Sequence, residues 1–204
     1  GNADTNILSF TTGVEKVINC RSFFDKWVNL AITVEGKTAK IIIDGEDIAY
    51  SEDYNYKNGM CWGGNVKASL GQQYFYGDRP MVGMMDNVKI YQCALTTDEI
   101  KKEMNGSDDL IYNLDFSDAD NRGNNAANTG YADAEFTGSG FEYTENAIKG
   151  NTAVMLSGGS VRTNYIAIDG AVLNNDSITI AGWFKIPSDV AGWARLLEIY
   201  GDED

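Results

Sequence analysis

The chain has 204 residues and a net charge of −14, from 30 acidic and 16 basic side chains. Such a balance repels a phosphate backbone, so nucleic acid and anionic membrane surfaces are poor partners, while neutral ligands and cations suit it. Histidine is absent, which removes the commonest general base, the Ser-His-Asp triad and histidine metal sites.

The length suits one domain or two small ones. Hydrophobic residues make up 43% of the chain and the mean hydropathy is −0.30, as expected of a soluble globular protein. No apolar run approaches the roughly 20 residues of a membrane helix. No signal peptide is visible; a leader would already be gone ahead of Gly1, so an extracellular or cell-surface location stays open. Cys20, Cys61 and Cys93 cannot all pair within one chain. They lack CxxC spacing, so buried thiols, or one disulfide and a free thiol, are the readings rather than zinc.

Two prolines, 22 glycines and many short β-branched or aromatic runs predict an all-β domain. In chain order, "WVNLAITVEGKTAKIIIDGEDIAY" (27–50) is the clearest stretch. Trp27 to Val34 alternates apolar and polar residues, "EGK" turns the chain, and "AKIIID" returns as a strand. Asp44-Gly45 is a tight-turn pair, since both residues tolerate positive φ, and "EDIAY" starts back. These three strands form an antiparallel meander. Residues 51–65 read as a polar, aromatic loop, "VKASLGQ" as a strand, and "QQYFYGDRPMVG" as a strand entering a turn. "MMDNVKIYQ" is another strand.

"ALTTDEIKKEM" is helical, with Thr96 as N-cap and Glu99 completing a capping box. Leu95, Ile100 and Met104 share one helix face that docks on the strands, and Lys101 and Lys102 suit the helix C-terminus. After "NGSDD", "LIYNLDFSD" alternates like an opening strand. Residues 119–150 read as loops with short strands such as 134–136. "AVMLSGGSVRTNYIAI" reads as two strands about Gly158-Gly159, "SITIAGWFKI" as a strong strand, and "ARLLEIYGDED" as the last.

Together these segments resemble the laminin-G-like, concanavalin A-like jelly rolls, especially the bacterial versions attached to glycoside hydrolases and surface proteins. The "DFSD" strand, the "AVMLSGG" pair, "SITIAGWFK", the "WVNLAITVEG" to "DG" hairpin and the closing "MMDNVKIYQCALTTDEI" carry the resemblance. The resemblance implies an antiparallel β-sandwich (jelly roll) with one short α-helix. Its order here is reversed. Residues 1–105 correspond to the C-terminal half of the motif, 106–109 to a linker and 110–204 to the N-terminal half. A circularly permuted single sandwich and a cut across a tandem array both give this order. The halves then pair within one chain, as a monomer, or reciprocally between two, as a domain-swapped dimer.

The family resemblance also implies a non-catalytic carbohydrate-binding or adhesion module, secreted or on a bacterial surface and linked to a glycoside hydrolase. A structural or protein-interaction repeat without a glycan ligand is the alternative, and a glycoside hydrolase the more distant one. Some jelly rolls of this class cleave β-glucans with Glu, Asp and Glu at alternate positions of one strand. No ExDxE-like strand is present here, which argues against catalysis.

Trp27 and Trp183 match core positions of the pattern, with Leu30, Ile32, Ile180 and Phe184. Trp62 lies in a loop among Gly and Asn. It either stacks on a sugar face, sharing that surface with Tyr54, Tyr56, Tyr74, Tyr76 and Asp78, or caps the sandwich. Trp193 reads as a strand entry. The resemblance further implies a structural calcium joining the opening strand to the closing one. Asp86, Asn87, Asp115 and Asp118 are the matching oxygen donors, with Asp120 and Asn121 nearby in sequence. Solvated surface carboxylates are the alternative reading of the same residues.

Overall fold

A computed structural model describes residues 7–10, 16–19, 21–36, 38–51, 66–71, 81–102, 109–116, 132–158, 164–171, 177–189 and 196–201. The strands are β1 (Ile7–Phe10), β2 (Lys16–Asn19), β3 (Trp27–Glu35), β4 (Thr38–Ile43), β5 (Glu46–Ser51), β6 (Val66–Leu70) and β7 (Val82–Tyr91). A short helix, α1 (Thr97–Lys101), follows. Then come β8 (Leu110–Leu114), β9 (Glu135–Thr137), β10 (Phe141–Thr144), β11 (Ala153–Ser157), β12 (Tyr165–Ile168), β13 (Ser177–Lys185) and β14 (Leu197–Gly201).

All pairings are antiparallel. An eight-stranded sheet has the order β10-β11-β7-β13-β3-β4-β5, with β8 also on β7. A four-stranded sheet has the order β14-β6-β12-β9, and β1 pairs β2. The expected meander is present as β3-β4-β5. Its Asp44-Gly45 corner has φ of 50° and 77°, the pair of left-handed residues that a two-residue hairpin needs. Strands from the two parts of the sequence alternate. β13 lies between β7 and β3 over most of its length, and β6 lies between β14 and β12.

Period-two alternation puts one side of each long strand into the space between the two larger sheets. Val28, Leu30 and Val34 of β3, Ile41 and Ile43 of β4, Met85, Val88 and Ile90 of β7, and Ile178, Ile180 and Phe184 of β13 enter it. They meet Leu70, Ile166 and Ile168 of the smaller sheet. Removing such side chains from water supplies about 1.5–3 kcal/mol apiece, which makes this the main source of stability.

The opposite side of the eight-stranded sheet carries a smaller cluster. Ala31, Ile42 and Tyr91 are covered by Leu95 and Ile100 of the α1 segment, as the helical spacing predicts. The capping box is formed: Thr96 accepts from the Glu99 N–H, and Glu99 accepts from the Thr96 N–H at 2.8 Å. Thr179 of β13 anchors the approach to the helix. Its hydroxyl accepts from the Leu95 N–H at 2.8 Å and donates to the Cys93 carbonyl at 2.7 Å. Met104 lies outside the described residues.

Three local expectations change. The short strand near residue 134 begins one residue later, at Glu135. Phe141–Thr144, a weakly patterned "FEYT", is a strand because it pairs with β11. Trp27 and Trp183 do not enter the core and Ile32 is only partly buried, whereas Leu30, Ile180 and Phe184 do enter it. Both tryptophans occupy odd positions of β3 and β13, while the even positions face inward, so both indoles fall on the helix-bearing side.

Candidate functional site

The sheet is irregular where β7 passes β13. Trp183 pairs with Asp86 and Ala181 pairs with Lys89, so Asn87 and Val88 together face the single residue Gly182. This is a β-bulge, with the extra residue in left-handed backbone: Asn87 has φ of 52°. The close approach explains the glycine. A Cβ on Gly182 would lie 2.9 Å from Val88 Cγ2 and 3.2 Å from Phe184 Cε2.

The bulge aims Asp86 at a junction of three segments. Its carboxylate Oδ2 accepts from the backbone N–H groups of Ile148 and Lys149, both at 2.8 Å. Oδ1 is buried and has no hydrogen-bond partner among the described residues, and the residue as a whole is 0% exposed. Burial pushes its pKa above the usual carboxylate range; three backbone N–H bonds pull against that, and the nearby negative charge of Asp115 adds to the rise. Asp115 follows β8, whose last residue, Leu114, pairs with Val88. Next along the chain, Phe116 has φ of 51° and its carbonyl accepts from the Thr152 hydroxyl at 2.5 Å. The opening strand β8, the closing strand β7 and the loop between β10 and β11 therefore converge on Asp86.

This arrangement fits a hard cation. One buried carboxylate oxygen lacks a donor, and a second carboxylate is close enough to raise its proton affinity; oxygen donors of this kind are what calcium takes. Only two acidic side chains meet here. No group of three or more Asp, Glu, Cys or His is clustered for a metal among the described residues, so the remaining oxygens would have to be amides, carbonyls or water. Asp118, Asp120 and Asn121 lie outside the described residues.

Beside the bulge, on the helix-bearing side, lies a notch of about 30 Å3. Ala181 and Gly182 line it together with Trp183, Asn29, Asn87 and Lys89, and Leu95 and Ile100 of the α1 segment complete it. The side chain of Asn29 donates to the Gly182 carbonyl at 3.4 Å. Its backbone N–H donates to the Asp44 carboxylate at 2.8 Å, so the hairpin corner fixes its position. The far side of the same face is crossed by the loop after β10, where the Trp27 indole N–H donates to Asn146 Oδ1 at 3.2 Å.

Of the residues expected to form sites, Asp86 and Asp115 are brought together, and Asn87 lines the notch. Trp62, Tyr54, Tyr56, Tyr74, Tyr76 and Asp78 lie outside the described residues, as do Trp193, Cys20 and Cys61. Cys93 is a free thiol whose pKa is raised to about 11, chiefly by burial and then by the Asp109 carboxylate. Sequence reasoning missed Asn29, Lys89, Ala181 and Gly182. The available signal was Gly182 inside an otherwise strong strand, which often marks a bulge or a close backbone approach.

Residues 9–101 match the family model Laminin_G_3, described as the concanavalin A-like lectin/glucanases superfamily. No curated protein and no solved structure is matched by the chain. The family match runs from β1 to the last turn of α1, the part read from its residues as the later half of the motif. Strands from residues 110–201 complete the antiparallel sheets that this matched segment builds.

Proposed function

We propose that the chain is a non-catalytic carbohydrate-binding or adhesion module of a secreted or surface protein, of the kind linked to glycoside hydrolases. The superfamily match over residues 9–101, joined to an antiparallel sandwich, is the observation that carries this reading. Neutral polysaccharide suits an acidic protein of net charge −14 better than a polyanion does. A binding role is favoured over hydrolysis because no strand carries the alternating carboxylates of the β-glucan-cleaving members. The close pair Asp86 and Asp115 does not substitute for them, since Asp86 is sealed from solvent. Among the described residues, no helix is long and apolar enough to cross a membrane.

The same reading includes a structural calcium held by Asp86 and Asp115. Its support is the buried Asp86 oxygen without a donor. Calcium there would supply charge compensation at the meeting point of β7 and β8 and take no part in a reaction. The reversed order of the halves is read as permutation within one chain, since both larger sheets interleave strands of the two halves. Light scattering tests this: a monomer is expected, and a strict dimer would replace it with reciprocal exchange.

A glycan-array screen with and without calcium tests the function. Retention of at least one neutral glycan is expected, stronger with calcium. A blank array under both conditions would sink the reading and leave the structural or protein-interaction repeat.

A further inference from the structure

We infer that the notch beside the β7 bulge is a recognition site for a single sugar unit. The inference rests on the glycan-binding reading and goes beyond it by assigning a place and a ligand shape. Three observations lead to it.

The first is the position of Trp183. It belongs to neither buried cluster, although it sits within a nine-residue strand and pairs with Asn29 on one side and Asp86 on the other. A large aromatic left partly exposed on a sheet face offers an apolar plane. The axial C–H face of a pyranose packs on such a plane, because both surfaces lose water poorly held by hydrogen bonds.

The second is what surrounds the indole. Asn29 and Asn87 flank the notch with primary amides, and Lys89 adds an ammonium group. Amides both donate and accept, which matches hydroxyl groups that do the same. No carboxylate lines the notch, so it does not share the cation chemistry of Asp86. The Asn29 amide donates to the Gly182 carbonyl while its backbone N–H is held by the Asp44 corner, and the backbone of Asn87 is set by the left-handed bulge.

The third is depth. Ala181, which presents only a methyl group on the helix-bearing side, keeps the notch open beside the indole. Its volume of about 30 Å3 accommodates two or so water-sized groups, at roughly 10–15 Å3 each. One hydroxyl or hydroxymethyl group enters; a whole ring does not. The ring therefore rests against Trp183 with an exocyclic group inserted. Leu95 and Ile100 line the notch on the α1 side, so it is sized for the exocyclic group of one sugar unit.

The test uses the whole chain. Methyl glycosides of glucose, galactose, mannose and N-acetylglucosamine are titrated calorimetrically, beside the corresponding glycans on an array. Wild type is expected to bind at least one methyl glycoside. Ala181→Val, which fills the notch with a side chain suited to strands, is expected to weaken that binding tenfold or more at an unchanged melting temperature. Trp183→Ala should do the same, and Trp183→Phe should retain part of it. Should Trp183→Ala fail to fold, Ala181→Val and Trp183→Phe decide. Equal binding by wild type and Ala181→Val overturns the notch while the glycan reading stands. Binding of longer chains alone, without any methyl glycoside, overturns the single-unit assignment. A wild-type chain that retains no glycan overturns both.

Discussion

The two faces of the eight-stranded sheet are built from the same strands and do different things. The inner face of β3, β7 and β13 is sealed by the second sheet, with Leu30, Ile90 and Ile180 at its centre. Among the described residues, the outer face is sealed where α1 lies, over Ala31, Ile42 and Tyr91. Beyond the helix the same face carries Trp27, Asn29 and Trp183, with amide partners and a notch instead of a core. Alternation along a strand sorts residues into two sets, but the cover decides which set becomes a core. A five-residue helix covers only part of a sheet.

The contrast is sharpened most by truncating one apolar residue on each face. Ile90→Ala on the inner face should cost about 2–5 kcal/mol in urea unfolding, as for other fully packed aliphatic sites. Ile100→Ala, in the small outer cluster, should fall at or below the lower end of that range. Equal losses would break the distinction between a core and a patch.

A second measurement concerns the junction at Asp86. If calcium is held there, a hundredfold excess over its dissociation constant raises stability by about 2.7 kcal/mol, read as a higher melting temperature. Asp86→Asn keeps an acceptor for the Ile148 and Lys149 N–H groups while removing the charge, and should abolish the calcium-dependent shift without unfolding the metal-free protein. A shift that survives in Asp86→Asn would place the cation elsewhere.

The helix that covers the outer face depends on its cap. Thr96→Ala should cost about 1 kcal/mol, with the loss confined to α1 and the outer cluster in hydrogen exchange. Glu99 adds a pH dependence whose sign follows from its bonds. Hydrogen bonds from the Thr96 N–H and hydroxyl hold its pKa below the usual 4.5, so the folded state favours the carboxylate. Its contribution is present above that usual value and is lost as pH falls through the lowered one. Glu99→Gln should flatten this part of the acid limb of a melting-temperature profile.

The smallest effect is kinetic. Cys93 borders the outer cluster, and its pKa of about 11 leaves far less thiolate than an ordinary cysteine has. In a Cys20→Ser, Cys61→Ser background, alkylation at pH 8 should run on the order of 100-fold slower than for a free thiol. Stability should be unchanged. Rapid labelling would show that the outer cluster opens more readily than its packing suggests.

Much of this protein is written locally. The hairpin at Asp44-Gly45, the capping box at Thr96 and Glu99, and the alternation in β3, β7 and β13 follow from turn chemistry, capping and period-two patterning. Those depend only on neighbours in the chain. The motifs also carried the family resemblance, and the acidic residues Asp86 and Asp115 were legible as a pair through it.

Other features depend on residues far apart in sequence. Strand order puts β13 between β7 and β3, and only that placement creates the bulge opposite Gly182. The bulge in turn buries Asp86 beside Asp115 and turns Asn87 toward Asn29 and Trp183. The sequence by itself determined an antiparallel all-β chain with a capped helix, because backbone preferences and hydrophobic alternation act over a few residues. The tertiary structure decided that Trp27 and Trp183 stand outside the core, because burial is a property of what lies across a sheet, and a strand does not encode its own cover.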